Sequence, residues 1–478
     1  MDNDYGNPDR NGRTSEVEND YSSAKSNTQS MKLLFERKPN LSKPVGHLKR
    51  PLIWLGVASA LIIVIDRSAT AATLQVKPGG AAGTYSTIGA AVLRAQADYT
   101  DSGTVDVIEV APGTYMESVK IETPLSLVGA GSGRSIINAR GLANGIYIDG
   151  IDAPKPRLSN VLVAGFTIEN ARFEGIYITN ASFITVAENE VTNNDQGLAS
   201  GSCPGLPTFE TSEGDDCGEG IHLSGVDHSM VHDNVSTNNS GGILLSDDTG
   251  ATHDNLISGN SVRNNVFDCG ITLASHPPAS ITGSTTPLGV FHNVISENES
   301  IRNGTAAGGS GAGIGIFASV PGAQSYGNVV INNQVRGNGL PGVAMHSHTP
   351  GQILNDNVIV GNQISGNGAD TADAATPGPA GINVFGVSTV TGTVISGNSI
   401  QGEDDDIVTN TSGEVAIHFN NLLGGKLGVN NLGDGAVDVT ENWWGNGKGP
   451  GAGGGTSIGG SGITVNPFLT NPVSGDHD

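Results

Sequence analysis

The sequence predicts an all-β solenoid, and its internal repeats are the main reason. Asparagine recurs in four triplets: Asn255, Asn260, Asn265; Asn293, Asn298, Asn303; Asn328, Asn333, Asn338; and Asn357, Asn362, Asn367. The triplets start 38, 35 and 29 residues apart, within the period of about 20 to 50 residues that is typical of repeat proteins. After each triplet a glycine opens an alternating strand such as Gly270-Ile-Thr-Leu, whose Ile271 and Leu273 share one face. Each repeat therefore predicts one coil of a stack with a continuous apolar interior.

The asparagines have a physical role in such a coil. Asparagine tolerates the left-handed backbone region at a tight corner, and its amide can bond the main chain or the equivalent amide one coil away. With this pattern, the region from about Thr73 to Trp444 resembles the right-handed parallel β-helix, or pectate-lyase-like, superfamily. The resemblance implies a right-handed parallel β-helix solenoid with an N-terminal helical cap, and it leaves the activity open.

The composition indicates one elongated domain with a large excess of negative charge. The 478 residues include 70 glycines, and 23 Lys and Arg stand against 47 Asp and Glu, a net charge of −24. Residues 1–72 contain 10 basic and 8 acidic residues, so the remainder has 13 against 39, a net charge of −26. Such a surface repels nucleic acid and anionic lipid. Calcium and neutral or cationic polymers remain possible partners, and we expect a polysaccharide or cell-surface glycan.

The first 72 residues predict export from the cell. Residues 1–50 form a polar extension, and Met31 is an alternative start because basic residues follow it. Residues 51–65 are an uncharged apolar run with Lys49 and Arg50 before it and Ala69-Thr70-Ala71 after it, the order of a secretory signal. We assign residues 51–72 to a signal peptide and expect a secreted, periplasmic or cell-surface protein that is free of the membrane after cleavage. An uncleaved membrane anchor is the alternative.

The rest of the chain divides into a cap, regular coils and a tail. Residues 73–157 predict the N-terminal cap and first coils, in which a helical stretch at 89–97 covers the open end of the stack. Residues 158–440 are the regular repeats, interrupted by insertions at 201–216, 277–288 and 369–379. Residues 441–478 form a C-terminal cap and glycine-rich tail. The element Asn442-Trp-Trp-Gly is similar to one near the end of other bacterial surface β-helix proteins, which implies a cap; stacking of Trp443 or Trp444 on sugar is the alternative.

Three cysteines in an exported chain allow one disulfide. Cys203 and Cys217 bracket the first insertion, and closing a loop of this length contributes about 3 kcal/mol. The competing pair, Cys217 with Cys269, lies two coils apart, or roughly 10 Å at the strand spacing. We therefore predict a Cys203–Cys217 disulfide and a reduced Cys269.

Alignment of the strands on their leading glycines predicts a strip of polar side chains on one outer face. Asp248 and His276 each lie six residues past a glycine on neighbouring coils, about 4.8 Å apart and within hydrogen-bonding reach. Five of the eleven histidines fall near this strip: His222, His253, His276, His346 and His348. Paired carboxylates and imidazoles are the groups that acid–base chemistry on a sugar chain needs. The alternative is a set of solvated turn residues.

The predicted site has His276 as general base, oriented by Asp248. Asp216 or Glu219 is the acid, because crowded carboxylates raise one another's pKa, or else the partner of a substrate carboxylate. The predicted catalytic set is His276, Asp248, Asp216, Glu219 and His222, and the predicted substrate-binding set is Asp215, Asp247, Asp268, His346 and His348. No cofactor is required. Calcium remains open at 403–406 or at Asp215-Asp216, whereas the histidines have no spacing specific for a transition metal.

Family motifs narrow the chemistry only in part. Gly214-Asp-Asp-Cys217 is similar to the Asp-Asp core of polygalacturonase-type hydrolases, but their Gly-His-Gly and Arg-Ile-Lys elements and the pectin methylesterase signature are absent from the sequence. The leading hypothesis is an exported polysaccharide lyase, epimerase or hydrolase. The alternative is a non-catalytic cell-surface module for glycan binding, adhesion or structure. Periplasmic copper handling is disfavoured by the five methionines and the lack of a Met or His cluster motif.

Overall fold

The computed structural model describes residues 71–154, 156–197, 202–210, 217–307, 309–371, 375–423 and 425–474. Within these ranges the regular structure is β-strand except for the helix Ile88–Ser102 and a 3₁₀ turn, Ser280–Thr282. No helix in this part of the chain is long and apolar enough to cross a membrane. The N-terminal extension and almost all of the predicted signal peptide lie outside the described residues.

Three long parallel sheets make up the described structure. The first sheet contains Thr73–Val76, Val107–Val110, Leu125–Gly129, Val161–Ala164, Thr185–Ala187, Met230–His232, Leu256–Ser258, Val294–Ser296, Val329–Ile331, Val358–Val360, Thr393–Ser396, Val415–His418, Val437–Asp438 and Ile463–Thr464. The second sheet contains Gly113–Tyr115, Ser135–Asn138, Thr167–Glu169, Glu190–Thr192, Val235–Thr237, Ser261–Arg263, Glu299–Ile301, Gln334–Arg336, Gln363–Ser365, Ser399–Gln401 and Asn421–Leu422. The third sheet contains Val119–Ile121, Ile146–Asp149, Ile176–Thr179, Glu219–Ser224, Gly241–Ser246, Ile271–Ser275, Ile314–Ala318, Val343–Ser347, Ala380–Gly386, Asp405–Asn410, Leu427–Asn431 and Ser457–Gly460. Short strands at one corner pair as Leu158–Ser159 with Ala181–Ser182, and as Thr252–His253, Val290–Phe291 and Ser325–Tyr326.

Each regular coil gives one strand to each long sheet, and successive coils pair in parallel. Ile243 pairs with Ile271, and Leu245 pairs with Leu273; all four side chains are buried in one continuous apolar core. Parallel crossovers of this kind are right-handed. The predicted all-β class and right-handed parallel β-helix are confirmed.

The predicted asparagine ladders are present as chains of buried amides. The side-chain oxygen of Asn298 accepts hydrogen bonds from the backbone N–H and the side-chain amide of Asn260, at 2.9 and 3.0 Å. Asn298 in turn donates to the Asn333 oxygen at 3.0 Å. The left-handed backbone predicted for these asparagines is wrong, because it belongs to the residue before each one: Gly259, Glu297 and Asn332 have φ of 64°, 56° and 56°.

The two ends of the described coil are closed by apolar side chains. The helix Ile88–Ser102 buries Ile88 and Val92 at the N-terminal end, and the Glu117 carboxylate accepts from the backbone N–H groups of Ile88 and Gly89 at 2.8 and 2.9 Å. The helix is longer than the predicted 89–97 and ends before Gly103, which has a left-handed φ of 71°. At the other end, Trp444 is fully buried in the core. This burial excludes Trp444 from stacking on a sugar and makes it part of the cap.

The structure joins Cys203 to Cys217 by a disulfide, with a Cα–Cα distance of 5.3 Å. Cys269 is free and buried. The disulfide ties the first insertion back to the third sheet, directly ahead of the strand Glu219–Ser224. The described part of this insertion carries Phe209, which stacks over Tyr177 at a ring-centroid distance of 6.4 Å.

Candidate active site

The register of the third sheet aligns the site residues in columns on its outer face. Tyr177 pairs with His222, and His222 pairs with Leu244, as the alignment on leading glycines predicts. On the next two strands Asp248 and His276 become neighbours, with 3.5 Å between Asp248 Oδ1 and His276 Nδ1. The expected open groove is wrong, however, since Asp248 is 1% and His276 2% exposed. The insertions fold over this face: the Ala279 N–H donates to the Asp248 backbone carbonyl at 2.8 Å.

A continuous network of hydrogen-bonded polar groups crosses four successive coils beneath this cover. His222 Nδ1 lies 2.9 Å from Glu174 Oε1, and His222 Nε2 lies 2.8 Å from the Ser246 hydroxyl. Ser246 Oγ donates to Asp248 Oδ2 at 2.5 Å. The second Glu174 oxygen accepts from the Glu219 N–H at 2.6 Å. The chain therefore connects Glu174, through His222 and Ser246, to the Asp248–His276 pair.

The environments at the two ends of this chain move carboxyl pKa values in opposite directions. Burial raises the pKa of Glu174 to about 8 and lowers the pKa of His222. Burial and the nearby Glu174 raise the pKa of Glu210 well above its usual range. Burial alone would raise the pKa of Asp248 too, but the interaction with His276 helps to outweigh it and lowers that pKa to about 2. At neutral pH, Glu174 therefore carries a proton while Asp248 is ionised.

These charges fix the direction of each hydrogen bond in the chain. Because Asp248 is ionised, Ser246 donates its one proton to it and accepts from His222 Nε2. A neutral imidazole with a proton on Nε2 presents Nδ1 as an acceptor, which the protonated Glu174 carboxyl group satisfies. Acid–base catalysis uses two titratable groups whose surroundings give them very different pKa values, and this network contains such a pair.

A cavity of about 20 Å³ lies beside the chain, with room for about one water molecule. Its lining includes Glu174, Glu210, Glu219, His222, Asp268 and His276. Predicted residues Glu219 and Asp268 thus face the same cavity as His222 and His276. Among the lining residues there is no Lys or Arg, so the basic groups beside these acids are the imidazoles of His222 and His276.

The structure gives Asp247 a role that differs from the predicted substrate binding. Its carboxylate accepts from the Ser275 hydroxyl at 2.9 Å and from the backbone N–H groups of His276, Leu288 and Gly289 at 2.6, 2.9 and 2.5 Å. Four donors saturate the two oxygens. Asp247 therefore braces the turn after its strand, and the predicted contact with substrate is corrected.

His346 and His348 lie on the same sheet but in a separate cluster. The strand Val343–Ser347 is two strands away from Ile271–Ser275, or about 9.6 Å. His346 Nε2 lies 2.5 Å from Asn383 Oδ1, and His346 Nδ1 lies 3.3 Å from Asp370 Oδ2. The residues predicted to line one groove therefore lie in two separate clusters. Asp215 and Asp216 lie outside the described residues, and His253 lies on another corner of the coil.

Sequence reasoning missed Glu174, Glu210 and Asp195. Glu174 stands directly before a strand glycine, as Glu219 does on the next strand, so the repeats place the two residues in one column. Glu210 belongs to an insertion, which has no register. Burial raises the pKa of Asp195 to about 8, and its carboxylate accepts from the Cys217 N–H at 3.1 Å.

Three groups among the described residues place metal-ligand atoms within 4.8 Å of one another: Glu174, Glu210 and His222; His228, His253 and Asp254; and Glu122, Asp149 and Asp152. The last group already surrounds a cation, since Lys120 Nζ lies 2.9, 2.8 and 3.2 Å from its three carboxylates. The first group adjoins the small cavity. Imidazole with carboxylate suits Zn²⁺ or Cu²⁺, whereas Cu⁺ prefers sulfur ligands.

Part of the chain matches a known family, and the whole coil is similar to solved structures. The model of a family described as "Periplasmic copper-binding protein (NosD)" matches residues 156–303. This range contains the hydrogen-bonded network from Glu174 to His276. No curated protein matches the sequence.

The solved structures similar to the chain are parallel β-helices. The mannuronan C-5 epimerase AlgE4 A-module of Azotobacter vinelandii is 13% identical, with 81% of this chain and 96% of that chain covered and a TM-score of 0.47. The Dettilon tailspike protein is 15% identical over 83% and 68% of the two chains, TM-score 0.47. A GH87 α-1,3-glucanase from Streptomyces thermodiastaticus is 14% identical over 79% and 67%, TM-score 0.39. By its coils, parallel sheets and asparagine ladders, the protein has the fold of a right-handed parallel β-helix.

Proposed function

We propose that this protein is an exported carbohydrate-active enzyme whose acid–base site is the buried chain from Glu174 to His276. The observation that carries the proposal is the hydrogen-bonded network that joins Glu174, whose pKa burial raises, to Asp248, whose pKa is lowered beside His276. Lyase, epimerase and hydrolase reactions all move a proton to or from a sugar, and each uses an acid and a base placed on either side of the reacting bond.

In the proposed mechanism the two ends of the chain have different roles. Glu174 supplies a proton to the leaving or reacting oxygen and regains one from solvent before the next turnover, while His222 orients the Glu174 carboxyl group through the hydrogen bond at Nδ1. His276, oriented by Asp248, accepts the proton that the reaction releases. A sugar ring is larger than the cavity of about 20 Å³, so it would bind with the Glu210 side chain displaced.

The test is activity of the full chain on a panel of uronic-acid and neutral polysaccharides. Absorbance from unsaturated products identifies elimination, and new reducing ends without that absorbance identify hydrolysis. His276→Ala and Glu174→Gln should each lower turnover by about 10²-fold or more. Asp404→Ala is the control, because Asp404 is half-buried and pairs with Lys426 at 2.9 Å, outside the site. Full activity in both site variants would remove the proposed site, and inactivity on every polymer would favour a glycan-binding or structural module.

Divalent cation binding is a second candidate, favoured by the Glu174–Glu210–His222 group. Its ligand atoms converge beside a cavity of single-ion size, and uncompensated buried carboxylates are stabilised by a cation. The matched family model, described as copper-binding, covers all three residues. Titration calorimetry of the metal-free protein with Cu²⁺, Zn²⁺ and Ca²⁺ tests this function.

The variants assign the ion to a site. If this group binds it, His222→Gln should weaken binding by about 10- to 100-fold, while His253→Gln, which alters the exposed corner group, should leave it unchanged. The reverse pattern would place the ion at the corner, and absence of binding would reject the candidate.

A further inference from the structure

The basic residues of the central coils, between residues 173 and 425, are concentrated in one place. Between residues 173 and 425 the sequence contains 25 Asp and Glu but three Lys or Arg in total, Arg263, Arg302 and Arg336. All three line a single open hollow of about 600 Å³ on the outside of the coil. Basic residues scattered for solubility alone would fall on different faces, so their convergence indicates a common role.

The fold builds this hollow from equivalent positions on successive coils. Arg263 pairs with Ile301, and Ile301 pairs with Arg336, in the second sheet. Arg302 follows at the corner, with a left-handed φ of 56°. Arg263 and Arg336 are therefore two coils apart, about 9.6 Å, with Arg302 between them.

Glycines keep the corner open beside the arginines. Gly337 and Gly366 occupy the corners that follow Arg302 along the stack, and both line the hollow. A Cβ at Gly366 would meet nothing within 4 Å. The arginine side chains therefore border a solvent-filled groove rather than a packed surface.

Within the described residues, none of the three guanidinium groups has a carboxylate within 4 Å, whereas Lys120, Arg157 and Lys426 all do. All three arginines are exposed. Glu299, on the middle strand, is directed to Ser261, whose hydroxyl lies 3.4 Å from its carboxylate. Like charges on adjacent coils repel one another, and a bound anion relieves that repulsion.

We propose that this arginine groove, defined by Arg263, Arg302 and Arg336, binds a linear anionic polysaccharide along the coil axis. The planar guanidinium fork matches carboxylate and sulfate groups, and a polymer with one such group per sugar can offer them to successive coils. Single-stranded nucleic acid is disfavoured because the residues that line the groove include no aromatic side chain on which bases would stack. The groove lies on the second sheet and the acid–base site on the third, so the two proposals stand independently.

Titration calorimetry of the full chain tests the groove with four defined polymers: polygalacturonate, dextran sulfate, neutral dextran and single-stranded poly(dT). We expect polygalacturonate, dextran sulfate or both to bind, neutral dextran not to bind, and added salt to weaken binding. Replacing all three arginines with glutamine should lower the affinity by about tenfold or more, since each exposed charge pair contributes modestly. Arg140→Gln removes an exposed arginine from the early coils and should leave the affinity unchanged.

The polymer that binds identifies the anion as carboxylate or sulfate. Circular dichroism and thermal melting confirm that the triple variant is folded. The proposal is overturned if neither anionic glycan binds, if the folded triple variant binds as the wild type does, or if poly(dT) binds more tightly than both glycans.

Discussion

Replacing Asn298 with alanine should remove one rung of a ladder and strongly destabilise the coil. The Asn298 side chain accepts two hydrogen bonds from Asn260 and donates to the carbonyl of Ile257 at 2.9 Å and to the side-chain oxygen of Asn333 at 3.0 Å. After the change the Asn260 N–H loses its acceptor in a buried position, which costs about 1 to 3 kcal/mol, and the other contacts add about 1 kcal/mol each. With three such contacts, we expect the free energy of unfolding to fall by about 4 to 6 kcal/mol.

Urea unfolding followed by circular dichroism measures this loss. The matched control is Asn332→Gly, because Asn332 is exposed and its φ of 56° suits glycine. That change should alter the free energy of unfolding by no more than about 0.5 kcal/mol. If Asn298→Ala costs no more than Asn332→Gly, the amide ladders do not stabilise the stack and the reasoning is refuted.

Three further predictions concern pH, the disulfide and export. The folded state raises the pKa of Glu174 from 4.5 to about 8, so the stabilisation that Glu174 contributes is complete below about pH 4.5 and is lost as the pH rises to 8. Through this group the free energy of unfolding of the wild type should fall by on the order of 3 kcal/mol between pH 5 and 8. Glu174→Gln should remove that decrease, and an unchanged pH dependence of the free energy of unfolding would contradict the prediction. Replacing both Cys203 and Cys217 with serine should lower the free energy of unfolding by about 3 kcal/mol, and non-reducing peptide maps should contain the linked peptide. Terminal sequencing of the native protein should find a mature N-terminus near Ala72, and retention of residues 1–50 would disprove cleavage.

The repeats determine much of the fold because equivalent residues of successive coils pair in the same register. Alignment on strand glycines correctly predicts the column Tyr177, His222 and Leu244, since a parallel solenoid stacks equivalent positions directly. The same argument misassigns the left-handed residue. Each tight corner contains two adjacent residues, one with a left-handed backbone and then the asparagine of the ladder. The repeat pattern alone does not show which of the two has the left-handed backbone.

The site is only partly predictable, because its insertions carry no register. His222, Asp248 and His276 follow from the repeats, whereas Glu210 enters from an insertion and makes the site a buried cavity instead of a groove. The raised pKa of Glu174 depends on that burial. The contacts of Asp247 are equally unpredictable from the repeats. Its partners Leu288 and Gly289 lie at the end of another insertion, where the repeat pattern predicts no contact.

The pH dependence of glycan turnover tests the central claim, that Glu174 is the protonated acid of the site, most directly. The wild type should lose activity as the pH rises through about 8, because ionisation of Glu174 removes the proton that the reaction needs. Glu174→Gln should be at least about 10²-fold slower near neutral pH and should lack this alkaline loss. A variant with the wild-type rate and the same alkaline limb would contradict the assignment.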